Sequence, residues 1–154
     1  MIEIRRDDPA SPALAGLLAL HVADARAHTP PENAHVLDAA GLSSPAVTLW
    51  SAWADDRLAG MAALKQLDAA HGEIKSMRTA PDALRRGVAR ALLAHIVATA
   101  RTRGYARLSL ETGTAPAFTA ANRLYESAGF VDGPVFADYP VSPHNRFMTL
   151  DLGA

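Results

Sequence analysis

At 154 residues, 49% hydrophobic and 20% charged, the chain has the apolar content for one compact soluble domain, expected to span 1–154. A formal net charge of −1 provides no global basic field for nucleic acid, and the absence of cysteine removes disulfides, thiolate metal sites and a Cys nucleophile together. The apolar run Leu14 to Ala19 is too short to span a membrane and lacks a basic leader or cleavage pattern, so a cytoplasmic protein without a membrane partner is expected.

Ile2 to Arg5 alternates apolar and charged residues as a short strand does. Ser11-Pro12 opens a helix carrying Leu14, Leu17, Leu18 and Val22, which should stop before Pro30-Pro31. A second short helix is expected over about 33–40, ending at Gly41. Val47 to Ala54 and Leu58 to Gln66 read as a hairpin joined by Asp55-Asp56-Arg57. Glu73 to Thr79 is a further strand, closed by Ala80-Pro81. After Gly87, the residues Val88, Leu92, Leu93, Ile96, Val97 and Ala100 share one helical face, and Gly104 terminates it. Leu108 and Leu110 alternate with Arg107, Ser109 and Glu111 in another strand. Pro116 opens a helix with Phe118, Ala121, Leu124 and Ala128 inward, and Gly129 ends it. An irregular loop is expected from Asp132 to Asn145, followed by a last strand from Phe147.

Arg85-Arg86-Gly87-Val88-Ala89 is the most informative stretch. A helix start offers unpaired N–H groups and the positive end of the peptide dipoles. Glycine admits an anion close to the backbone, and arginines placed against the dipole carry a local cost that a bound phosphate would offset. With Glu73-Ile74-Lys75-Ser76-Met77-Arg78 before it and Asn122-Arg123-Leu124-Tyr125-Glu126-Ser127-Ala128-Gly129-Phe130 after it, this stretch resembles the GNAT superfamily of acyl-CoA-dependent N-acetyltransferases. The similarity runs from Gly72 to Phe130, and the departure is Leu84, where that family prefers Arg or Gln.

The resemblance implies a mixed α/β fold: a mostly antiparallel twisted sheet of six to seven strands, splayed between the fourth and fifth, with about four helices. It implies acetyl-CoA as cosubstrate, without a metal, and makes a homodimer an option. The pyrophosphate would lie on the backbone of Arg86, Gly87, Val88 and Ala89, with side-chain contacts from Arg85, Arg86 and Arg90. Met77, Arg78 and Thr79 would pair with the amides of the pantetheine arm along a bulged strand, where a freed N–H polarises the thioester carbonyl. Asn122 would contact the cofactor, and Tyr125 would protonate the departing thiolate.

The acceptor is expected to be a primary amine of a small molecule, attacking directly in a ternary complex. Such an amine, with a pKa near 10.4, is mostly charged at neutral pH and needs a base. Glu73 is the first choice and Glu111 its rival. Two other readings stand beside this one. A non-catalytic acyl-CoA-binding module would have kept the cradle, with Leu84 as its support, and a protein N-terminal or lysine acetyltransferase would differ in acceptor. His21, His28 and His35 are evenly spaced, but Pro30-Pro31 breaks the helix that would align them, so no metal site is expected. His28 to Glu32, Phe136 and Tyr139 are candidates for lining the substrate mouth.

Overall fold

The apolar–polar alternations resolve into seven strands of one sheet in a computed structural model that describes residues 1–153. The strands are β1 (Ile2–Asp7), β2 (Val47–Ala54), β3 (Arg57–Asp68), β4 (His71–Thr79), β5 (Arg107–Gly113), β6 (Val131–Asp132) and β7 (Asn145–Asp151). They lie in the order β1-β2-β3-β4-β5-β7-β6. The helices are α1 (Ala15–His28), α2 (Ala39–Leu42), α3 (Val88–Thr102) and α4 (Thr119–Ser127). Among the described residues no helix is long and apolar enough to cross a membrane.

Local chemistry accounts for most of these elements. Asp55 and Asp56 both hold positive φ (51° and 63°), which gives the two-residue β2–β3 turn the twist a hairpin needs. β3 runs through Ala59 to Leu64 buried on both faces, as a central strand does. Val88, Leu92, Leu93, Ile96 and Ala100 of α3 are buried, each large side chain contributing about 1.5–3 kcal/mol. Gly60 lets α3 approach β3, since a Cβ there would sit 2.8 Å from Cγ1 of Val88.

All neighbouring strands are antiparallel except β4 and β5. That parallel pairing covers only His71–Ile74 against Arg107–Leu110. Beyond it β4 stays with β3 and β5 with β7, so the sheet forks as expected. Between the pairs Met61–Arg78 and Ala63–Lys75, β4 carries one residue more than β3. This bulge includes Ser76, at φ 55°.

Three sequence expectations need correction. No helix spans 33–40: a 3-10 turn at Pro31–Asn33 leads into an irregular stretch, and α2 begins at Ala39 with Asp38 accepting from the N–H of Gly41 (2.9 Å). Gly41 therefore lies inside that helix instead of ending it. Tertiary contacts of Asn33 and His35, described below, hold the stretch open. In α4 the buried side chain is Tyr125, Phe118, Ala121 and Leu124 are half-buried, and Ala128 is exposed, because the helix stops at Ser127. The segment after β6 is irregular as expected, yet Phe136 is buried against the rings of His71 and Phe147.

Candidate active site

The fork opens a cleft of about 800 Å³, bounded by β4, β5, the start of α3, α4, the end of α1 and the stretch 33–37. Its two ends are chemically distinct.

At one end, β4 has no strand partner on its β5 side after Ile74, so its bulged edge from Ser76 to Thr79 faces the cleft with unpaired backbone groups. That edge leads through a 3-10 turn (Pro81–Ala83) to the start of α3. Arg85 and Gly87 both hold positive φ (64° and 81°). For Arg85 this backbone costs on the order of 1–3 kcal/mol, the kind of strain that functional turns retain. A Cβ on Gly87 would meet nothing within 4 Å, so the glycine keeps space open beside the helix start. Val88, Ala89 and Arg90 follow along the cleft wall. Arg85, Arg86 and Arg90 are exposed and form no ion pair among the described residues. Arg86 does not line the cleft and instead borders a separate surface depression with Asp55, Arg57 and Asp82. Leu84, 59% exposed, also lines the cleft. This end presents a helix N-terminus, a geometry suited to an anion, and an open strand edge, suited to an extended amide chain.

Arg78 and Asn122 are occupied by the protein itself. The Arg78 guanidinium donates to His21 Nδ1 (3.1 Å) and to Asp24 Oδ2 (2.8 Å), tying β4 to α1. Burial, reinforced by that guanidinium, lowers His21 from its ordinary value to about 4. Asn122 accepts from Thr112 Oγ1 (2.8 Å) and donates to the Gly113 carbonyl (3.1 Å), so its amide fastens α4 to the tip of β5 and does not line the cleft.

Tyr125 lines the cleft from α4 beside Phe130, their ring centroids 6.0 Å apart. Its hydroxyl has no protein partner among the described residues, and burial pushes the phenol up to about 12. A full proton transfer from such a phenol to a thiolate of about 8.5 is uphill by roughly 5 kcal/mol. The expected role as acid is thereby narrowed: the group suits hydrogen-bond donation to a developing thiolate.

At the other end sit two carboxylates. Glu73 is 2% exposed; its Oε2 accepts from Lys75 Nζ (3.2 Å) and from the Tyr139 hydroxyl (2.5 Å). Burial first, then the Glu73 charge and hydrogen bond, hold the Tyr139 phenol far above its usual range. Glu111 Oε2 lies 2.5 Å from His35 Nδ1 and 3.2 Å from Asn145 Nδ2. Burial raises the Glu111 carboxyl above the usual range against the opposing pull of His35. Asn145 Nδ2 also donates to the Asn33 carbonyl (3.0 Å), which pins the stretch 33–37 across this end.

Sequence reading missed Lys75, His35 and Asn145 as participants. The signal for Lys75 was present, since a lysine two residues from Glu73 shares its strand face. His35 and Asn145 are 110 residues apart and carried no local signal. Of the residues expected at the mouth, His28 and Thr29 line the cleft, whereas Phe136 and Tyr139 lie behind it as support. Among the described residues no three histidine or carboxylate groups gather in a metal-binding cluster.

Comparison with known proteins gives a consistent result. The sequence profile of the acetyltransferase (GNAT) family matches residues 14–130. The chain is 51% identical over 152 residues to YedL, an uncharacterized N-acetyltransferase of Escherichia coli, covering 99% of this chain and 96% of that protein. A candidate acyl-CoA N-acyltransferase of Klebsiella pneumoniae superposes with a TM-score of 0.80 at 26% identity, over 99% of this chain and 98% of that one. A GNAT acetyltransferase from Elizabethkingia anophelis, crystallised with acetyl-CoA bound, shares the fold with a TM-score of 0.67 at 19% identity, over 97% of each chain.

Proposed function

From the premise that the chain belongs to the acetyltransferase (GNAT) family, we propose that it transfers the acetyl group of acetyl-CoA to a primary amine of a small molecule, by direct attack in a ternary complex. The observation that carries this reading is the forked sheet, whose bulged open edge on β4 leads directly onto the Gly87 helix start. Acetyl-CoA fits there: the backbone N–H groups from Arg86 to Ala89, aided by Arg85 and Arg90, hold the pyrophosphate, and the main chain of Met77, Arg78 and Thr79 holds the amide arm. Bound in this way the cosubstrate supplies an activated acetyl thioester.

The chain's own groups then have separate tasks. The bulge at Ser76–Met77 frees a main-chain N–H to hold the charge developing on the thioester oxygen, and the buried, unpartnered Ser76 hydroxyl lies beside it. Tyr125 donates a hydrogen bond to the leaving sulfur. The base belongs to the carboxylate-bearing end, where sequence reading placed Glu73 or Glu111. A small acceptor is favoured over a polypeptide because the 33–37 stretch is pinned to β5 and β7 across that end.

Leu84 supports one alternative, a non-catalytic acyl-CoA sensor, since an exposed apolar side chain stands where the family prefers Arg or Gln. Titration calorimetry with acetyl-CoA, together with thiol release over a panel of primary amines, separates the two. Binding with thiol release supports the enzyme. Tight binding without release supports the sensor, and no binding removes both.

A further inference from the structure

The His35 imidazole is held in one orientation by groups from two separate parts of the chain. Its Nδ1 lies against Glu111 Oε2, the two side chains being only 21% and 11% exposed. Its ring lies 5.0 Å from that of Tyr139. With Glu111 ionised and the imidazole neutral, the proton sits on Nδ1 and the lone pair on Nε2. Nε2 has no protein partner among the described residues, and His35 lines the cleft. Asn145 is fixed as well. Its Nδ2 serves both the Asn33 carbonyl and Glu111, so a flipped amide would set oxygen against oxygen. Its Oδ1 is buried without a donor. An unpaired buried acceptor is disfavoured, and a ligand ammonium would satisfy it.

Resting on the proposed amine acetylation, we propose that His35 is the general base for the acceptor: Nε2 takes the ammonium proton, Glu111 acts as a positioning residue through Nδ1, and Asn145 Oδ1 holds a second N–H. The acceptor therefore arrives as a charged amine with at least two N–H bonds. One N–H bond breaks with its electron pair staying on nitrogen, and the proton becomes part of an imidazolium facing the Glu111 carboxylate. The freed pair forms the bond to the acetyl carbon, and the C–S bond breaks with its pair on sulfur. The second nitrogen proton neutralises that thiolate, so amide, thiol and one proton on His35 balance the reaction. Glu73 is the poorer candidate, since its Oε2 is tied to Lys75 and Tyr139.

The charged and titratable groups around His35 are Glu111 on β5, Tyr139 before β7, Glu73 and Lys75 on β4 behind Tyr139, and Asp24 and His28 of α1 across the cleft. The test uses acetyl-CoA with benzylamine, which is charged at neutral pH, and with hydroxylamine, which is mostly neutral there. His35→Ala is expected to lower kcat/KM for benzylamine at pH 7 on the order of 10²–10³-fold. Acetyl-CoA affinity should stay within about twofold. The deficit should shrink as pH rises, shrink with hydroxylamine, and be partly rescued by added imidazole. Glu111→Gln should give a smaller loss with the same pH signature, and Glu73→Gln a loss that does not shrink with pH. A deficit equal at all pH values and for both amines, or a parallel loss of acetyl-CoA binding, overturns the proposal. Nitrogen-15 NMR provides a readout without turnover: the Nδ1–H tautomer supports the assignment, and an Nε2–H tautomer overturns it. A wild-type protein that acetylates no amine removes the acetyltransferase reading, while the spectrum still decides the orientation of His35.

Discussion

The end of the cleft at the start of α3, proposed to hold the acetyl donor, is built mainly from main chain, and the carboxylate-bearing end, proposed to hold the acceptor, mainly from side chains. At the donor end the bulge at Ser76, the left-handed Arg85 and Gly87, and the free N–H groups of α3 lie within about one strand and one turn of each other. At the acceptor end His35, Glu73, Glu111, Tyr139 and Asn145 come from five separate segments. A main-chain site recognises what every acyl-CoA shares, a pyrophosphate and amides. A side-chain site is changed by single substitutions, whereas a main-chain site tolerates them.

The contrast is sharpest at Gly87. Gly87→Glu forces a side chain into a positive-φ position and sets a carboxylate against the phosphate, so acetyl-CoA affinity by calorimetry should fall more than about 100-fold. Retained affinity would mean that the helix start is not the cradle. Tyr125→Phe lies between the two ends. It should lower kcat about 10–100-fold with KM for acetyl-CoA within about threefold, and a loss confined to KM would move Tyr125 to binding.

His21 ties α1 to β4 through Arg78, and its effect is on stability. Its folded value of about 4 lies below the ordinary one, so the unfolded chain takes up the proton first. The wild type should therefore lose on the order of 1–3 kcal/mol as pH falls from about 6.5 toward about 4. His21→Gln should flatten that part of the profile in urea melts at pH 7 and pH 5, and an unchanged slope would refute the assignment. The smallest expected effect is at the cradle's departure from its family. Leu84→Arg should tighten acetyl-CoA binding by about two- to fivefold at low salt, with the gain fading as salt rises.

The difference between the two ends also governs what could be read in advance. The strand, glycine and helix of the donor end are neighbours in sequence, so residue type and spacing carry the geometry. The tyrosine helix was equally legible, yet the effect of burial on its phenol was not. Asn122 was placed on the correct helix and given a cofactor contact, whereas it holds the tip of β5. The stretch 33–40 looked helical because its local propensity is not opposed after Pro31; contacts to Asn145 and Glu111 override it.

The forked α/β class came from the family resemblance; by itself, the sequence determined six of the seven strands, the helices α1, α3 and α4, and the hairpin at Asp55-Asp56. These rest on interactions spanning a few residues, which alternation, helical periodicity and positive-φ glycine report directly. Only the tertiary structure decided that Arg78 of β4 pairs with α1, that Glu73 is held by Lys75 and Tyr139, that His35 faces Glu111, and that Asn145 Oδ1 is left unpaired. Those pairings join residues 2 to 76 positions apart, and the longest depends on where β5 leaves the fork.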